Sequence, residues 1–158
     1  MNITLLDIKN HSEIELNTTP EYYEHLRLLL TIKKVVGKNF VRIGNPHDGG
    51  YILVDNFHTA DAKIAYSFGI AEDVSWDSDM SRRGYDVFMY DPTIDALPQE
   101  NDKFHFFKEG IGGEEDTEKS LNTLEHFMKV NGHNNKDNMI LKMDVEGAEW
   151  DFFKNRLV

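Results

Sequence analysis

Four acidic or glycine residues follow a short apolar segment near the end of the chain. Residues 139–143 (MILKM) form a predicted strand, and Asp144, Glu146, Gly147 and Glu149 come directly behind it. In open α/β sheets, ligands bind beyond the carboxyl ends of the parallel strands. Asp144 therefore stands where a ligand contact is expected, and a carboxylate at that position can act as a general base toward a bound hydroxyl.

Two earlier predicted strands end in residues that suit a nucleotide-like ligand. The strand at 63–69 ends in Gly69, which lets backbone approach a ligand closely, and the strand at 85–90 is followed by Asp91. The spacing from Gly69 to Asp91 is close to the roughly 20 residues between the glycine loop and the ribose-binding acid of dinucleotide sites. Together the two positions favour a cofactor that carries a ribose.

The charge of the loop after Gly69 distinguishes between such cofactors. A dinucleotide places its pyrophosphate at a helix amino end, behind a loop with three glycines. This loop has one glycine, and Glu72 and Asp73 lie at the entrance of the next predicted helix, where they would repel phosphate. S-adenosylmethionine has a sulfonium and an ammonium group and no phosphate, so it is preferred. A dinucleotide-dependent oxidoreductase is the less favoured alternative.

The remaining sequence predicts the elements that position these loops. Residues 1–18 are polar and non-periodic, which suggests a loose arm, and a helix is predicted from Thr19 to about Val36, where Gly37 ends it. A hairpin is predicted from strands at 40–43 and 51–54, with residues 48–50 as a tight turn and only secondarily a lid over a cofactor. Strands and helices then alternate, which predicts a parallel sheet with right-handed crossovers. The predicted strands are 63–69, 85–90, 104–108 and 139–143, and the predicted helices are 73–83, 116–130 and the segment after Gly147.

This order of elements predicts three regions. They are an N-terminal arm (1–18), a helix and hairpin (19–62) and a Rossmann-like α/β domain (63–158). Because the strand at 139–143 would be a bare sheet edge, which natural proteins avoid, we expect the sheet to be truncated after its fourth strand. Covering of that edge by a partner is the alternative, and self-association through this strand is one form of it.

Composition limits the classes of partner. The chain has 158 residues and a hydrophobic share of 40%, which suits one domain with a real core. Its formal net charge of -11 disfavours nucleic acid or an anionic membrane as a partner. We find no secretory signal, no apolar stretch of the ~20 residues that span a bilayer, and no cysteine for a disulfide. We therefore expect a cytoplasmic protein.

Several segments together carry a resemblance to a known family. They are 42–44 (RIG), 48–51 (DGGY), 67–70 (SFGI), 73–80 (DVSWDSDM), 83–85 (RGY), 90–91 (YD), 106–111 (FFKEGI) and 141–150 (LKMDVEGAEW). Over residues 38–154 the chain resembles methyltransferase-like domains related to the FkbM-type S-adenosylmethionine-dependent methyltransferases. The resemblance implies a Rossmann-like class I methyltransferase fold that uses S-adenosyl-L-methionine, often to methylate oxygen on a saccharide or another small-molecule acceptor.

The resemblance also implies roles for individual residues. Asp144 would lie beside the transferable methyl group or the acceptor, as the catalytic residue. Asp91 would hold the ribose hydroxyls. The other implied cofactor contacts are Ser67, Phe68, Gly69, Ile70 and Asp73 around the methionine part, and Glu109, Gly110 and Ile111 around the adenine.

Two alternatives remain open at this point. A chain that lacks the later strands of such an enzyme could be a non-catalytic remnant of it. Asp144, Glu146 and Glu149 could also bind a divalent metal, because hard cations prefer carboxylate oxygens. Acidic residues are, however, stabilising at any helix amino end, so a metal is not favoured.

Overall fold

The structure is a computed structural model that describes residues 2–6, 13–17, 20, 24, 27–28, 31, 35–57 and 62–154. The chain divides into two units, Met1–Val36 and Gly37–Val158. In the first unit, β1 (Asn2–Leu6) pairs antiparallel with β2 (Glu13–Asn17). The prediction of a loose arm is wrong for these two segments. Residues 13–16 alternate polar and apolar residues, which is the pattern of a strand, but the stretch is too short to reveal its partner.

The helix predicted from Thr19 to about Val36 falls mostly on residues outside the described part of the chain. Four described residues, Pro20, Glu24, Arg27 and Leu28, are helical. Gly37 has a φ of 71°, the left-handed conformation that commonly follows a helix end.

The second unit contains a hairpin followed by alternating strands and helices. Its elements in chain order are β3 (Phe40–Ile43), β4 (Tyr51–Val54), β5 (Ile64–Phe68), α1 (Ser75–Arg82), β6 (Asp86–Tyr90), β7 (Phe104–Phe107), β8 (Gly110–Ile111), β9 (Leu121–Asn122), α2 (Leu124–Val130), β10 (Ile140–Met143) and α3 (Glu149–Lys154). The antiparallel pair β3–β4 confirms the predicted hairpin.

A four-stranded parallel sheet forms the centre of this unit, in the order β10-β5-β6-β7. The fourth predicted strand thus lies beside the first. The register places Phe68 opposite both Tyr90 and Met143. Gly69, Asp91 and Asp144 follow these strand ends and are therefore neighbours at the carboxyl ends of the strands.

Helices pack against both faces of this sheet, because side chains alternate between the faces of each strand. On one face, α1 and the hairpin bury a cluster that includes Ile43, Ala65, Trp76, Met80, Val87 and Met89. On the other face, α2 and α3 bury a mainly aromatic cluster of Tyr66, Phe68, Tyr90, Ile111, Phe127 and Phe152. The unit therefore has a parallel α/β sheet flanked by helices, as predicted, while its assignment to the methyltransferase class stays a prediction.

The helix predicted at 116–130 is wrong over its first half. The Asp116 carboxylate accepts hydrogen bonds from the backbone N–H groups of Glu118 and Lys119, which forms a turn. Ser120 then has a φ of 54°, outside the range of a right-handed helix. Leu121 pairs with Gly110 in the small parallel sheet β8–β9. The helix α2 begins only after Thr123, whose hydroxyl caps it by accepting from the N–H of His126.

Two further expectations from the sequence concern association through the edge strand β10 and the absence of a helix that crosses a membrane. β10 and β7 are the outer strands of the four-stranded sheet, and Leu141 of β10 is exposed. Association through β10 stays a prediction. No helix in the described ranges has the length and apolar character needed to cross a bilayer.

Candidate functional site

A cavity of about 850 Å³ lies at the carboxyl ends of β5, β6 and β10. That volume falls within the usual range for small-molecule and cofactor pockets, roughly 300–1,000 Å³. Seven of the ten residues predicted to bind cofactor or act in catalysis line it: Gly69, Ile70, Asp73, Asp91, Gly110, Ile111 and Asp144. Their gathering follows from the strand register.

The other three predicted site residues, Ser67, Phe68 and Glu109, do not line the cavity. Ser67 is fully buried within β5, one residue before the strand end. Phe68 belongs to the aromatic core, where its ring stacks on that of Tyr90 at 5.0 Å between centroids. Glu109 accepts a hydrogen bond of 2.7 Å from the Asn122 side chain. A contact between these three side chains and a ligand would need a different arrangement.

Gly69 lies in the tight turn after β5, where it lines the floor of the cavity. Its φ is 77°, and a Cβ at this position would overlap the backbone carbonyl of Asp144. Its N–H donates to the Tyr90 carbonyl at 3.1 Å, and its carbonyl accepts from the buried Lys142 ammonium. Only glycine allows this φ without strain together with this close approach.

The Asp91 carboxylate is bound by the protein's own donors on both oxygens. Oδ2 accepts from the N–H groups of Ile70 and Ala71 at 2.8 and 2.9 Å. Oδ1 accepts from the N–H and the hydroxyl of Thr93 at 2.8 and 2.5 Å. Burial would raise the Asp91 pKa, but these hydrogen bonds outweigh burial and the pKa is lowered. Since a carboxylate has about four acceptor positions, a ribose hydroxyl must displace one of these donors.

The hydroxyl of Thr93 is the donor that can leave most easily. It sits on a rotatable side chain at the cavity wall, whereas the three backbone N–H groups are fixed by the turns that contain them. Rotation of Thr93 would free one position on Asp91 Oδ1. No sequence pattern points to this residue, because serine and threonine are common in turns.

Asp73 holds the loop at 45–49 against the start of α1. Its Oδ1 accepts from the Ser75 N–H at 2.8 Å, and its Oδ2 accepts from the Asn45 side chain at 2.8 Å. The Asn45 N–H also donates to the Ser75 hydroxyl at 3.0 Å, and the Gly44 N–H donates to Asp79 at 2.8 Å. The loop thus forms part of the cavity wall, and a role as a lid over a cofactor stays a prediction.

Asp144 faces the cavity at the end of β10. Its Oδ2 accepts a 2.6 Å hydrogen bond from the hydroxyl of Tyr51 in β4, and its Oδ1 accepts none from the part of the chain that the structure describes. Burial, followed by the hydrogen bond to Asp144, raises the Tyr51 pKa well above its usual value, so the phenol keeps its proton. Tyr51 belongs to the family-like segment 48–51, but neither its residue type nor its position there predicts a role.

The three acidic residues considered for a metal do not converge. Glu149 accepts hydrogen bonds from the N–H groups of Val145 and Gly147 at 2.7 and 2.8 Å, and so caps the last turn before α3. Within the described ranges, no group of three or more metal-ligating side chains gathers in a geometry suited to a metal ion. Glu149 therefore bonds to backbone N–H groups at the amino end of α3, and metal binding stays the less favoured alternative.

The cavity lining is strongly acidic. Six carboxylates line it (Asp48, Glu72, Asp73, Asp91, Asp144 and Glu146), and Lys142 is the one lysine or arginine among the described lining residues. Lys142 is itself directed to the Gly69 carbonyl. Such a cavity attracts a cationic ligand and disfavours phosphate.

Comparison with known proteins gives no relative for this chain. It matches no protein-family model, no curated protein and no solved structure.

Proposed function

We propose that the chain binds S-adenosyl-L-methionine and transfers its methyl group to oxygen on a saccharide or another small metabolite. The observation that carries this proposal is the acidic cavity at the carboxyl ends of three parallel strands. Its glycine turn and ribose-position carboxylate suit an adenosyl group, and its excess of carboxylates suits a sulfonium cation. Cytoplasmic location remains an expectation from the sequence.

The amino end of α1 argues against a dinucleotide. Asp73 already accepts the N–H of Ser75 there, so the position that a pyrophosphate would occupy holds a carboxylate. Glu72 lines the cavity next to it. A doubly charged pyrophosphate would therefore meet repulsion at the point where dinucleotide folds provide attraction.

The order of strands suggests how the cofactor would lie. Asp144 follows β10, Gly69 follows β5 and Asp91 follows β6, with Ile111 beyond β7. Three strand spacings of about 4.8 Å give a span of about 14 Å, long enough for an adenosyl group and its methionine part. Adenine would contact Ile111, ribose Asp91 and the methionine part Gly69, which leaves the methyl group near Asp144.

Methyl transfer in this arrangement is an in-line displacement. S-adenosyl-L-methionine would supply the methyl group: as the acceptor oxygen bonds to the methyl carbon, the bond from that carbon to sulfur would break and leave its electron pair on sulfur as the thioether. The hydroxyl proton of the acceptor moves to Asp144 Oδ1, which accepts no hydrogen bond from the described residues. The chain contributes positioning and proton removal, and the cofactor supplies the leaving group.

Calorimetry with the full chain tests cofactor binding. We expect adenosylhomocysteine and adenosylmethionine to bind and NAD not to bind. Asp144→Asn should weaken adenosylmethionine more than adenosylhomocysteine, because only the former carries the sulfonium charge. A folded chain that binds neither adenosyl compound, or that binds NAD better, would refute the proposal.

A matched pair of variants tests the ribose contact. Asp91→Asn removes the charge at the ribose position, and we expect at least a ten-fold loss of adenosylhomocysteine affinity, since a hydrogen bond to a charged group contributes about 1.5–3 kcal/mol. Thr93→Val removes the competing hydroxyl and leaves the carboxylate, so affinity should be kept or increased. Equal losses in both variants would show that Asp91 only supports the loop.

A further inference from the structure

The hydrogen bond from Tyr51 to Asp144 joins two parts of the chain that are far apart in sequence. Tyr51 begins β4 of the hairpin, and Asp144 follows β10 of the central sheet. At 2.6 Å it is a short bond between a neutral donor and a carboxylate, the stronger class of hydrogen bond. Tyr51 is not among the residues that line the cavity, and its hydroxyl contacts the site through Asp144.

The hairpin does not need this bond to hold its place. Its loop is already attached to α1 by the hydrogen bonds of Gly44 to Asp79 and of Asn45 to Ser75 and Asp73. The Tyr51 ring also packs against the apolar cluster on that face of the sheet. The hairpin is therefore attached without the Tyr51 hydroxyl, whose main effect is to hold the Asp144 side chain.

An exposed aspartate normally samples several side-chain rotamers. Asp144 is exposed on the cavity side, but its Oδ2 is held by the phenol. Fixing Oδ2 also fixes where Oδ1 points, since the two oxygens share one planar group. A base that is held in one direction does not have to be ordered again when the acceptor binds.

We propose that Tyr51 is a positioning residue that holds the Asp144 carboxylate in one rotamer, with Oδ2 bound and Oδ1 presented to the acceptor hydroxyl. The inference rests on the proposed methyl transfer and adds the hairpin to its machinery. Because burial keeps the phenol protonated, Tyr51 acts as a donor and does not exchange the proton with the acceptor. The proton balance stays as given above, with Asp144 Oδ1 as its destination.

Side-chain NMR couplings of Asp144 in the full, isotopically labelled chain test this role without any ligand. In the wild type we expect one dominant χ1 rotamer. Tyr51→Phe keeps the ring and removes only the hydroxyl, so the population ratio of that rotamer should fall about five-fold. Tyr85→Phe is the matched control, because the Tyr85 hydroxyl contacts the Phe57 carbonyl at 3.5 Å and lies outside the cavity lining. It should leave the Asp144 couplings unchanged.

The backbone amide signals of Gly44 and Asn45 report whether the hairpin remains attached in Tyr51→Phe. Rotamer averaging with these signals unchanged supports positioning by the hydroxyl. An unchanged Asp144 rotamer, or averaging of equal size in Tyr85→Phe, overturns it. Absence of adenosylhomocysteine binding by the wild type would instead overturn the proposed function, and the two failures are therefore distinguishable.

Discussion

Replacing Gly69 by alanine tests the close packing at the floor of the cavity. Two costs add at this position. A left-handed φ of 77° costs a non-glycine residue about 1–2 kcal/mol. Alanine also reduces the conformational freedom of the unfolded chain, which offsets about 0.4–1 kcal/mol of that cost. The new Cβ would also overlap the Asp144 carbonyl, and overpacking of this kind costs about 1–3 kcal/mol. We expect Gly69→Ala to lower the free energy of unfolding by about 2–4 kcal/mol.

Gly132 provides the control, because it has nearly the same φ of 73° with nothing near its added Cβ. Gly132→Ala should therefore show only the conformational cost, a net loss of about 1 kcal/mol. Urea unfolding followed by circular dichroism measures both, and adenosylhomocysteine affinity should fall only in Gly69→Ala. Equal destabilisation of the two variants would mean that β5 and β10 do not approach each other as closely as described.

Three further predictions concern stability. Burial raises the pKa of Asp77, which is 0% exposed, while Ser67 and Lys142 only partly oppose the rise. The free energy of unfolding should therefore fall as pH rises above about 3.8 through the folded pKa of Asp77. In urea unfolding from pH 4 to 8, Asp77→Asn should show a smaller fall than the wild type. The same fall in both proteins would contradict this prediction. Thr123→Ala should lower the free energy of unfolding by about 1 kcal/mol, because it removes the cap of α2. If a helix instead began at residue 116, the same change would raise stability. The sign of the change in melting temperature therefore distinguishes the two helix starts. Burial lowers the pKa of His133, and the nearby charges of Lys136 and His105 lower it further. The free energy of unfolding should therefore decrease as pH falls below about 6.5 through the folded pKa of His133. His133→Gln should reduce that loss, and equal losses in both proteins would count against the assignment.

The sequence predicted the parts of the fold that depend on local pattern. Apolar segments bounded by glycine or aspartate gave the four parallel strands, and their alternation with helices gave the sheet and the position of Asp144. The helix was predicted to begin too early because Leu121 fits the helical spacing of Leu124 and Phe127, while the strand Leu121–Asn122 depends on pairing with Gly110. Such pairing joins residues distant in sequence, and no local periodicity reports it.

The predicted roles of the carboxylates were less secure, for a physical reason. Loops at strand ends expose backbone N–H groups, and the same carboxylates that could bind a ligand can accept from those groups first. Asp73, Asp91 and Glu149 all do so here. A loss of binding after replacing one of them can therefore reflect a disturbed loop as easily as a lost ligand contact.

Specific recognition must then come from groups with acceptor or donor capacity to spare. Asp144 Oδ1 is one such group, and the Thr93 hydroxyl, once turned from Asp91, is another. This is why the comparison of Asp91→Asn with Thr93→Val is more informative than either variant alone. Only a ligand that takes the place of the Thr93 hydroxyl makes the two changes act in opposite directions.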